Sequence, residues 1–275
     1  MEKIKFHIDD YGILPKINKD VINFIKNDKI DSISIICNSS HFATYINELL
    51  KVVKKKKIDV SCHLNLTEFL VKKEKLSFIK LLFYSFFPNS KIKKKVNNLI
   101  EKQINIFLNK IPLKKKTIFI DGHQHIHILP IVQKEIIKIL KKKKLSFKLR
   151  NSNEDLIINP NFSRKIFLNY IKLITIKFIY LIFNQNKNYL NKNFIGVIAT
   201  GIQSKKMIIK ALSRLNLKKG YTQVLFHPLK IEKNYLKKLK LNFEDYKYYT
   251  SDERNIEINF LKNIRSKNNF LKNNL

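Results

Sequence analysis

The sequence predicts an α/β fold, a (β/α) barrel-like domain with a largely parallel sheet and helical insertions. Two observations lead to this prediction. Short apolar, β-like runs alternate with helical stretches along most of the chain, which is the pattern of βαβ units. The chain has 275 residues, of which 44% are hydrophobic, and this is enough to build the core of one unit of that size.

The predicted strands are separated by turns and helices. A turn at Tyr11-Gly12 precedes a helix that begins after Pro15, and a helix from His41 to about Val53 follows the second strand. Because chemistry in parallel α/β folds gathers where strands end and loops begin, the strand ends are the places to search for a site. The predicted strands are Ile4–Ile8, Ser32–Cys37, Val60–Leu66, Ile118–Asp121, Phe147–Arg150 and Val224–His227.

Two segments, Leu76–Phe87 and Ile166–Phe183, look inserted, because they are aromatic and aliphatic with a few lysines. One interpretation is that both are helices that pack on the barrel or on each other. The other is a peripheral membrane contact, since basic apolar helices can lie in a membrane interface. Asn169, Lys172 and Lys177 interrupt the second segment, which makes it a poor spanning helix.

The formal net charge is +34, from 55 basic and 21 acidic residues. Such a charge favours nucleic acid or an anionic membrane surface as a partner. The lysines are nevertheless scattered in runs such as Lys54–Lys57 and Lys141–Lys144, and Lys, Asn and Ile are all abundant, as an AT-rich genome imposes. We therefore attribute most of the charge to composition. Because the chain shows no zinc-finger spacing and no RNP-like aromatic strand, we expect no specific nucleic-acid partner.

The two cysteines, Cys37 and Cys62, lie in apolar, strand-like runs and predict buried, reduced thiols rather than a disulfide. The N-terminus enters a strand at once, without the pattern of a signal peptide. These features predict a cytoplasmic protein, either free or peripheral to the inner face of the membrane, and they leave a homodimer open. Residues 1–265 are expected to form a single catalytic domain, and residues 266–275 a polar C-terminal tail that frays.

Four segments concentrate Asp and His, each at the end of a predicted strand. The first contains Asp9 and Asp10, adjacent carboxylates that are costly to desolvate unless they bind something, although the pair alone is typical of a surface turn. In the second, extended geometry places His63 and Asn65 on one face, although a lone histidine there is most often structural. The fourth contains His227, which is a weak signal alone but suits a general acid facing the same pocket.

The third segment is the strongest of the four. Its Asp and His residues follow one another at two-residue spacing, so they lie on one side if the strand continues. Clustered imidazoles with a carboxylate suit a divalent metal, with the remaining members orienting the ligands. Because His/Asp ligation accepts several ions, Mg²⁺ and Zn²⁺ both stay open. These residues are Asp121, His123, His125 and His127.

Taken in order, the four segments resemble the YdjC-like carbohydrate deacetylases, which include chitooligosaccharide deacetylases and hopanoid-biosynthesis deacetylases. The resemblance runs from Ile4 to the His-Pro near residue 228, and it also includes Asn18, Asn38 and Leu149-Arg150. It implies a (β/α) barrel of the sugar-deacetylase type. It also implies a metal-dependent hydrolase that releases acetate from an N-acetylated amino sugar, whether oligosaccharide, glycan or lipid-linked sugar.

The resemblance implies a role for each matching residue. Asp9 would take a proton from the metal-bound water, His227 would protonate the departing amine, and Arg150 would hold Asp9 ionised and oriented. The implied metal ligands, which leave positions open for water and substrate, are Asp10, His63 and His123. The residues expected to contact substrate or support the ligands are His125, Asn65, Asp121 and His127.

Some features depart from the family pattern or leave other functions open. His7 stands where many family members have a small or polar residue, so an extra metal contact is open there. Gly196–Gly201 is expected to form a loop over the pocket. A metal-dependent phosphoesterase is one alternative, but such barrels often begin with a His-x-His strand, whereas this chain has His7-Ile8-Asp9-Asp10. A basic nucleic-acid-binding protein is the other, and its support is the charge alone.

Overall fold

The structure, a computed structural model, describes residues 3–68, 74–113, 116–156, 164–183, 188–215, 220–232 and 249–274. In these residues, parallel strands form one curled sheet with helices around it, which confirms the predicted barrel-like α/β fold. The strands are β1 (Lys3–Tyr11), β2 (Ser32–Ile35), β3 (Asp59–Leu64), β4 (Thr117–Gly122), β5 (Ser146–Leu149), β6 (Asn193–Ile195) and β7 (Tyr221–Phe226). Their spatial order is β5-β4-β3-β2-β1-β7-β6.

Most helices follow the strands as βαβ units require. The α-helices are α1 (Pro15–Lys26), α2 (Ile46–Lys56), α3 (Phe78–Phe86), α4 (Ser90–Lys110), α5 (Pro130–Lys142), α6 (Arg164–Phe183), α7 (Lys205–Arg214), α8 (Asn255–Asn263) and α9 (Lys267–Asn274). Two 3₁₀ helices span His123–Ile128 and Asp252–Arg254. The second predicted helix starts later than His41, because the chain turns first and Tyr45 has a left-handed φ of 64°.

The two edges of the sheet come together through one short segment. The N–H of Leu149 in β5 donates to the carbonyl of Asn188 (3.0 Å), and the N–H of Leu190 donates to the carbonyl of Leu149 (2.7 Å). Soon afterwards the chain enters β6, which pairs with β7 at the other edge. The sheet therefore curls towards a closed barrel. β6 was not predicted, because a run of three residues is too short to show a period.

Apolar side chains fill the space between the sheet and the helices. Phe6 of β1 meets Phe226 of β7 edge to face, with ring centroids 5.2 Å apart, and Phe260 of α8 stacks on Phe226. Cys37 and Cys62 are buried and free, as predicted. This packing fixes the strands whose carboxyl ends carry the polar residues described below.

The C-terminal segment is held more firmly than its Asn/Lys-rich composition predicts. It forms α9, whose Phe270 is buried and lies 5.8 Å from Phe6 between ring centroids. Lys267 donates from Nζ to Asp31 Oδ1 at 2.7 Å. One aromatic side chain and one ion pair therefore anchor the segment that was expected to fray.

The two inserted segments are helices that contact each other, because Phe86 of α3 and Phe183 of α6 have ring centroids 5.0 Å apart. Both also pack against the first 3₁₀ helix. By length and composition alone, the part of α6 from Lys165 to Phe183 could cross a membrane, and only 22% of that stretch is buried. α6 thus packs against the protein with some of its side chains and leaves others exposed to solvent.

Candidate active site

Polar residues from distant parts of the chain meet at the carboxyl ends of the strands. Because the strands are parallel, these ends share one edge of the sheet. β1 brings Asp9 and Asp10, β3 brings His63, and β4 brings Asp121. The remaining members follow directly after strands: His123 after β4, Arg150 after β5 and His227 after β7.

Three of these side chains offer ligand atoms that lie within 4.8 Å of one another and could hold a metal ion: Asp10, His63 and His123. Asp10 Oδ1 is 3.0 Å from His123 Nδ1 and 3.4 Å from His63 Nε2. Two ligands bound to one ion at about 2.1 Å, at about 90 to 110° to each other, are about 3.0 to 3.4 Å apart. The spacing of the three residues therefore fits one shared ion.

Each of the two histidines has its second ring nitrogen on a carboxylate. His63 Nδ1 lies 2.6 Å from Asp121 Oδ1, and His123 Nε2 lies 2.9 Å from Glu68 Oε2. Such a partner fixes the ring orientation and increases the basicity of a ligating histidine. Glu68 also accepts a hydrogen bond from Tyr249 Oη at 2.8 Å. Asp121 was expected in this supporting position, whereas Glu68 was not.

The charge of the centre also fits a divalent cation. Burial alone would lower the pKa of both ligand histidines, but the surrounding carboxylates outweigh it and raise the pKa of His63 to about 9 and that of His123 to about 10. The centre thus binds positive charge. The centre and its surroundings hold four buried carboxylates, those of Asp9, Asp10, Glu68 and Asp121, and one guanidinium, that of Arg150, pairs with Asp9 and Asp121. With both imidazoles neutral, a divalent ion would offset two of the three negative charges that remain, and Lys172, which also lines the pocket, would offset the third.

The guanidinium of Arg150 lies among a second group of closely spaced acidic and imidazole side chains. His7, Asp9 and Asp121 could by spacing also hold an ion. Arg150 instead donates from Nη1 to Asp9 Oδ2 and from Nη2 to Asp9 Oδ1, both at 2.7 Å, and Nη2 lies 2.6 Å from Asp121 Oδ2. Burial alone would raise the pKa of Asp9, but this fork holds it well below its usual range. Asp9 is therefore ionised and fixed in orientation, as the resemblance implied.

His7 contributes to this network and not to the three-ligand group. Its Nδ1 lies 2.8 Å from Ser32 Oγ, and its Nε2 lies 2.6 Å from Arg150 Nη2 and 2.8 Å from Ser34 Oγ. Burial and the guanidinium both lower the pKa of His7. The guanidinium of Arg150 thus occupies the surroundings of His7, where the sequence left an extra metal contact open.

His227 faces the centre from the end of β7. Its Nε2 is 3.7 Å from Asp9 Oδ2. Burial lowers the pKa of His227 to about 3, against the opposing effect of Asp10 and Asp9, so the imidazole is neutral. Its backbone is held from both sides: the N–H donates to Glu257 Oε2 at 2.5 Å, and the carbonyl accepts from Arg254 Nη2 at 2.9 Å.

β4 does not continue through the histidines after His123, so the condition under which they would share one side of a strand is not met. β4 ends at Gly122, where a Cβ would lie 2.9 Å from Ile126 Cγ1, and the chain turns into a 3₁₀ helix. His125 lies 2.9 Å from Ser152 Oγ through its Nδ1. His127 Nε2 instead lies 3.1 Å from the carbonyl of Arg150. The two-residue spacing therefore has no structural meaning beyond the strand.

Asn65 closes a turn instead of facing the pocket. Its Oδ1 accepts from the N–H groups of Thr67 (3.1 Å) and Glu68 (3.2 Å), and its Nδ2 donates to the carbonyl of Glu68 at 2.6 Å. β3 ends one residue earlier, at Leu64, so strand alternation does not apply to Asn65. Asn65 acts indirectly, because the turn carries the Glu68 carboxylate to His123.

A pocket of about 190 Å³ opens over the centre. His125 and the centre's own residues line it, and α6 adds Asn169 and Lys172. Thr200 lines it from the loop expected there, and Glu154 holds that loop by accepting from two backbone N–H groups, those of Val197 (2.6 Å) and Ile198 (3.0 Å). A larger cavity of about 580 Å³ lies at the opposite ends of β3 and β4, away from the Asp/His cluster.

Several residues of the site were not found from the sequence. Glu68 follows the end of β3 by four residues, and a carboxylate so near a strand end was a usable signal. Lys172 was noted only as a charge that interrupts an apolar helix. Tyr249, Arg254 and Glu257 carry no local signal, because their partners come from distant parts of the chain.

Comparison with known proteins agrees with this fold. A crystal structure from Enterococcus faecalis V583, named a "putative cellobiose-phosphate cleavage protein", superposes with a TM-score of 0.56 at 16% identity and covers 100% of this chain and 99% of its own. At that identity the likeness shows the fold alone. A search of curated proteins finds no significant match. The family model described as YdjC-like protein matches residues 3–268, and the chain therefore belongs to the YdjC-like family.

Proposed function

We propose that this protein is a metal-dependent hydrolase that removes the N-acetyl group from an N-acetylated amino sugar and yields acetate and a free amine. One observation carries the proposal. Asp9 and His227, 3.7 Å apart, stand beside the three-residue ligand group in a single pocket. Family membership supports a carbohydrate as the substrate class.

Amide hydrolysis needs assistance at the carbonyl and at the nitrogen. A divalent cation held by Asp10, His63 and His123 would polarise the acetyl carbonyl and lower the pKa of a nearby water. Asp9, kept ionised by Arg150, accepts the proton of the attacking water. His227, a neutral imidazole, receives that proton and delivers it to the nitrogen as the C–N bond breaks.

The pocket supplies polar groups for the sugar from outside the Asp/His cluster. Asn169 and Lys172 reach it from α6, and Tyr249 reaches it from the C-terminal part of the chain. Glu68 orients Tyr249 and His123 together, since both contact the same Oε2 atom. Substrate binding and metal ligation are thus coupled through one carboxylate.

Acetate release from N-acetylglucosamine oligosaccharides, with and without a chelator, tests the proposal. We expect chelator-sensitive release, and we expect Asp9→Asn to lower the rate by about 100- to 10,000-fold because the proton acceptor is lost. His123→Ala is expected to lose metal and activity together, whereas His41→Ala, outside the pocket, is the matched control. Release of phosphate from phosphate esters, with no acetate from any N-acetylated sugar, would contradict the proposal and favour a phosphoesterase.

A further inference from the structure

One side of α6 presents large apolar side chains to solvent. They recur every three or four positions, so they form a single stripe along a helix of 20 residues, about 30 Å long. Leu181 is 82% exposed and Ile174 is 59% exposed. Exposed apolar surfaces of this extent mark an interaction site. The stripe consists of Leu168, Ile171, Ile174, Phe178, Leu181 and Ile182.

A second exposed stripe on α3 continues the first. Phe86 contacts Phe183 at the end of α6, and Phe83 contacts Phe87, with ring centroids 4.9 Å apart. Ile79 completes the stripe and is 77% exposed. We call the two stripes together the apolar face. Two separate insertions in the sequence build it, so it is not the accident of one helix.

The charges around the apolar face are positive. Exposed Lys80 lies on α3, and exposed Lys91 and Lys94 lie in the first turns of α4, directly after the exposed Phe87. The sequence has no Asp or Glu between Asp155 and Glu232, a stretch that includes all of α6. Two copies of this face would bring like charges together, whereas an anionic lipid surface would neutralise them.

The opposite side of α6 belongs to the active site. Asn169 and Lys172 line the pocket, and each directly follows a residue of the exposed stripe. The pocket and the apolar face therefore lie on different sides of one helix, which is roughly 10 Å across with its side chains. A helix that must carry Asn169 and Lys172 into a polar pocket is suited to lie in a membrane interface and not to span it.

We infer that the apolar face docks on an anionic lipid bilayer and that the substrate is an N-acetylated sugar carried by a lipid in that bilayer. The substrate class rests on the deacetylase function proposed above. Docking buries the aliphatic and aromatic side chains of α6 and α3 at the acyl boundary and places the lysines at the headgroups. The pocket then lies at the level of the sugar.

Vesicle flotation tests the docking. We expect the full chain to bind vesicles of phosphatidylglycerol mixed with phosphatidylcholine, and to bind pure phosphatidylcholine less. Ile174→Glu combined with Leu181→Glu is expected to weaken binding by at least about tenfold. The control combines Tyr45→Glu with Ile256→Glu, two exposed apolar positions outside the face with the same change of charge; its binding should be unchanged. Equal loss in both variants, or no binding of the wild type, overturns the docking.

Measurements of acetate release distinguish failure of the docking from failure of the proposed deacetylase function. Acetate release from an N-acetylglucosaminyl lipid in the same vesicles should fall at least about tenfold in the Ile174→Glu/Leu181→Glu variant, while release from a soluble oligosaccharide stays unchanged. Loss on both substrates would indicate damage to the pocket and overturn the inference. If the wild type does not bind vesicles but is a dimer, and the Ile174→Glu/Leu181→Glu variant is a monomer, the apolar face joins two copies of the chain. Vesicle binding without release from any acceptor would leave the docking and overturn the deacetylase.

Discussion

At the carboxyl ends of β1, β3, β4 and β5, charged side chains are almost completely buried, whereas the large apolar side chains of the α6 stripe are 46% to 82% exposed. Arg150 and Asp121 are 0% and 1% exposed, and Leu181 is 82% exposed. Both arrangements oppose the usual distribution, in which charges face water and large aliphatic groups face the core.

The two regions differ in whether the free-energy cost of the unusual burial or exposure is offset within the protein. Arg150 has two carboxylate partners within hydrogen-bond distance, so the desolvation of the buried charges is compensated inside the protein. The exposed stripe of α6 keeps its area in water, as far as the described residues show. Buried charges that are paired within the protein indicate a preorganised site. Exposed apolar side chains that nothing in the described protein covers indicate a surface that binds a partner.

The largest expected effect comes from removing the cation that pairs with the buried carboxylates. Arg150→Met leaves Asp9 and Asp121 buried without their cation, and we expect it to lower the free energy of unfolding by about 3 to 5 kcal/mol. Urea denaturation followed by circular dichroism measures this change. The matched control is Arg214→Met, an exposed arginine at the end of α7, for which we expect a change within about 0.5 kcal/mol. Equal stability of the two variants would show that the buried network needs no cation.

A second test uses the pH dependence of a buried acid near the pocket. Burial raises the pKa of Glu154 to about 7, although backbone N–H groups oppose the shift. Because the folded state holds the proton more tightly than the unfolded chain, this stabilisation is complete below the usual pKa near 4.5 and is lost as the pH rises to about 7. Between pH 4.5 and 8, wild type should therefore lose up to about 3 kcal/mol relative to Glu154→Gln.

The measurement for Glu154 is urea denaturation of both proteins across that pH range. Glu232→Gln, at an exposed glutamate, is the control and should follow the wild-type profile. Parallel profiles for wild type and Glu154→Gln would show that Glu154 keeps its charge in the folded state, and that the loop at Val197 and Ile198 is held by a carboxylate.

A third test concerns the carboxylate behind His123. Glu68→Gln keeps an acceptor for Tyr249 but removes the negative charge that orients His123, so we expect metal affinity to fall by about 10- to 100-fold. Competition with a chromogenic chelator measures it. Glu74→Gln changes a glutamate whose partner is the exposed Lys102 and should leave the affinity unchanged. An unchanged affinity in Glu68→Gln would contradict His123 as a ligand oriented by Glu68.

The smallest expected effect comes from the exposed face. Leu181→Ala should change the free energy of unfolding by no more than about 0.5 kcal/mol, because the side chain is already in water. Leu173→Ala on the same helix is the matched control: this leucine is fully buried, and its loss should cost about 2 to 5 kcal/mol. Thermal and urea unfolding compare the two. A large effect at Leu181 would mean that the stripe is part of the core.

The elements and site residues with a local signal could be predicted from the sequence. β1 and β4 are apolar runs that end in Asp or His, and both were found within a few residues. Asp9, Asp10, His63 and His123 were named from their positions at strand ends, and the structure brings them together. The two-residue spacing does not extend past His123, because the turn at Gly122 that ends the strand cannot be read from spacing, although His125 still lines the pocket.

The sequence by itself determined the parallel α/β fold, the membership in the YdjC-like family and the strand ends that carry Asp and His, since each depends on local patterns and their order along the chain. Only the tertiary structure decided that Glu68 supports His123, that Arg254 and Glu257 hold His227, and which side of α6 is exposed. The first two depend on contacts between segments far apart in the chain. The third could not be read because α6 is apolar on both sides, so its periodicity does not distinguish the packed side from the exposed one.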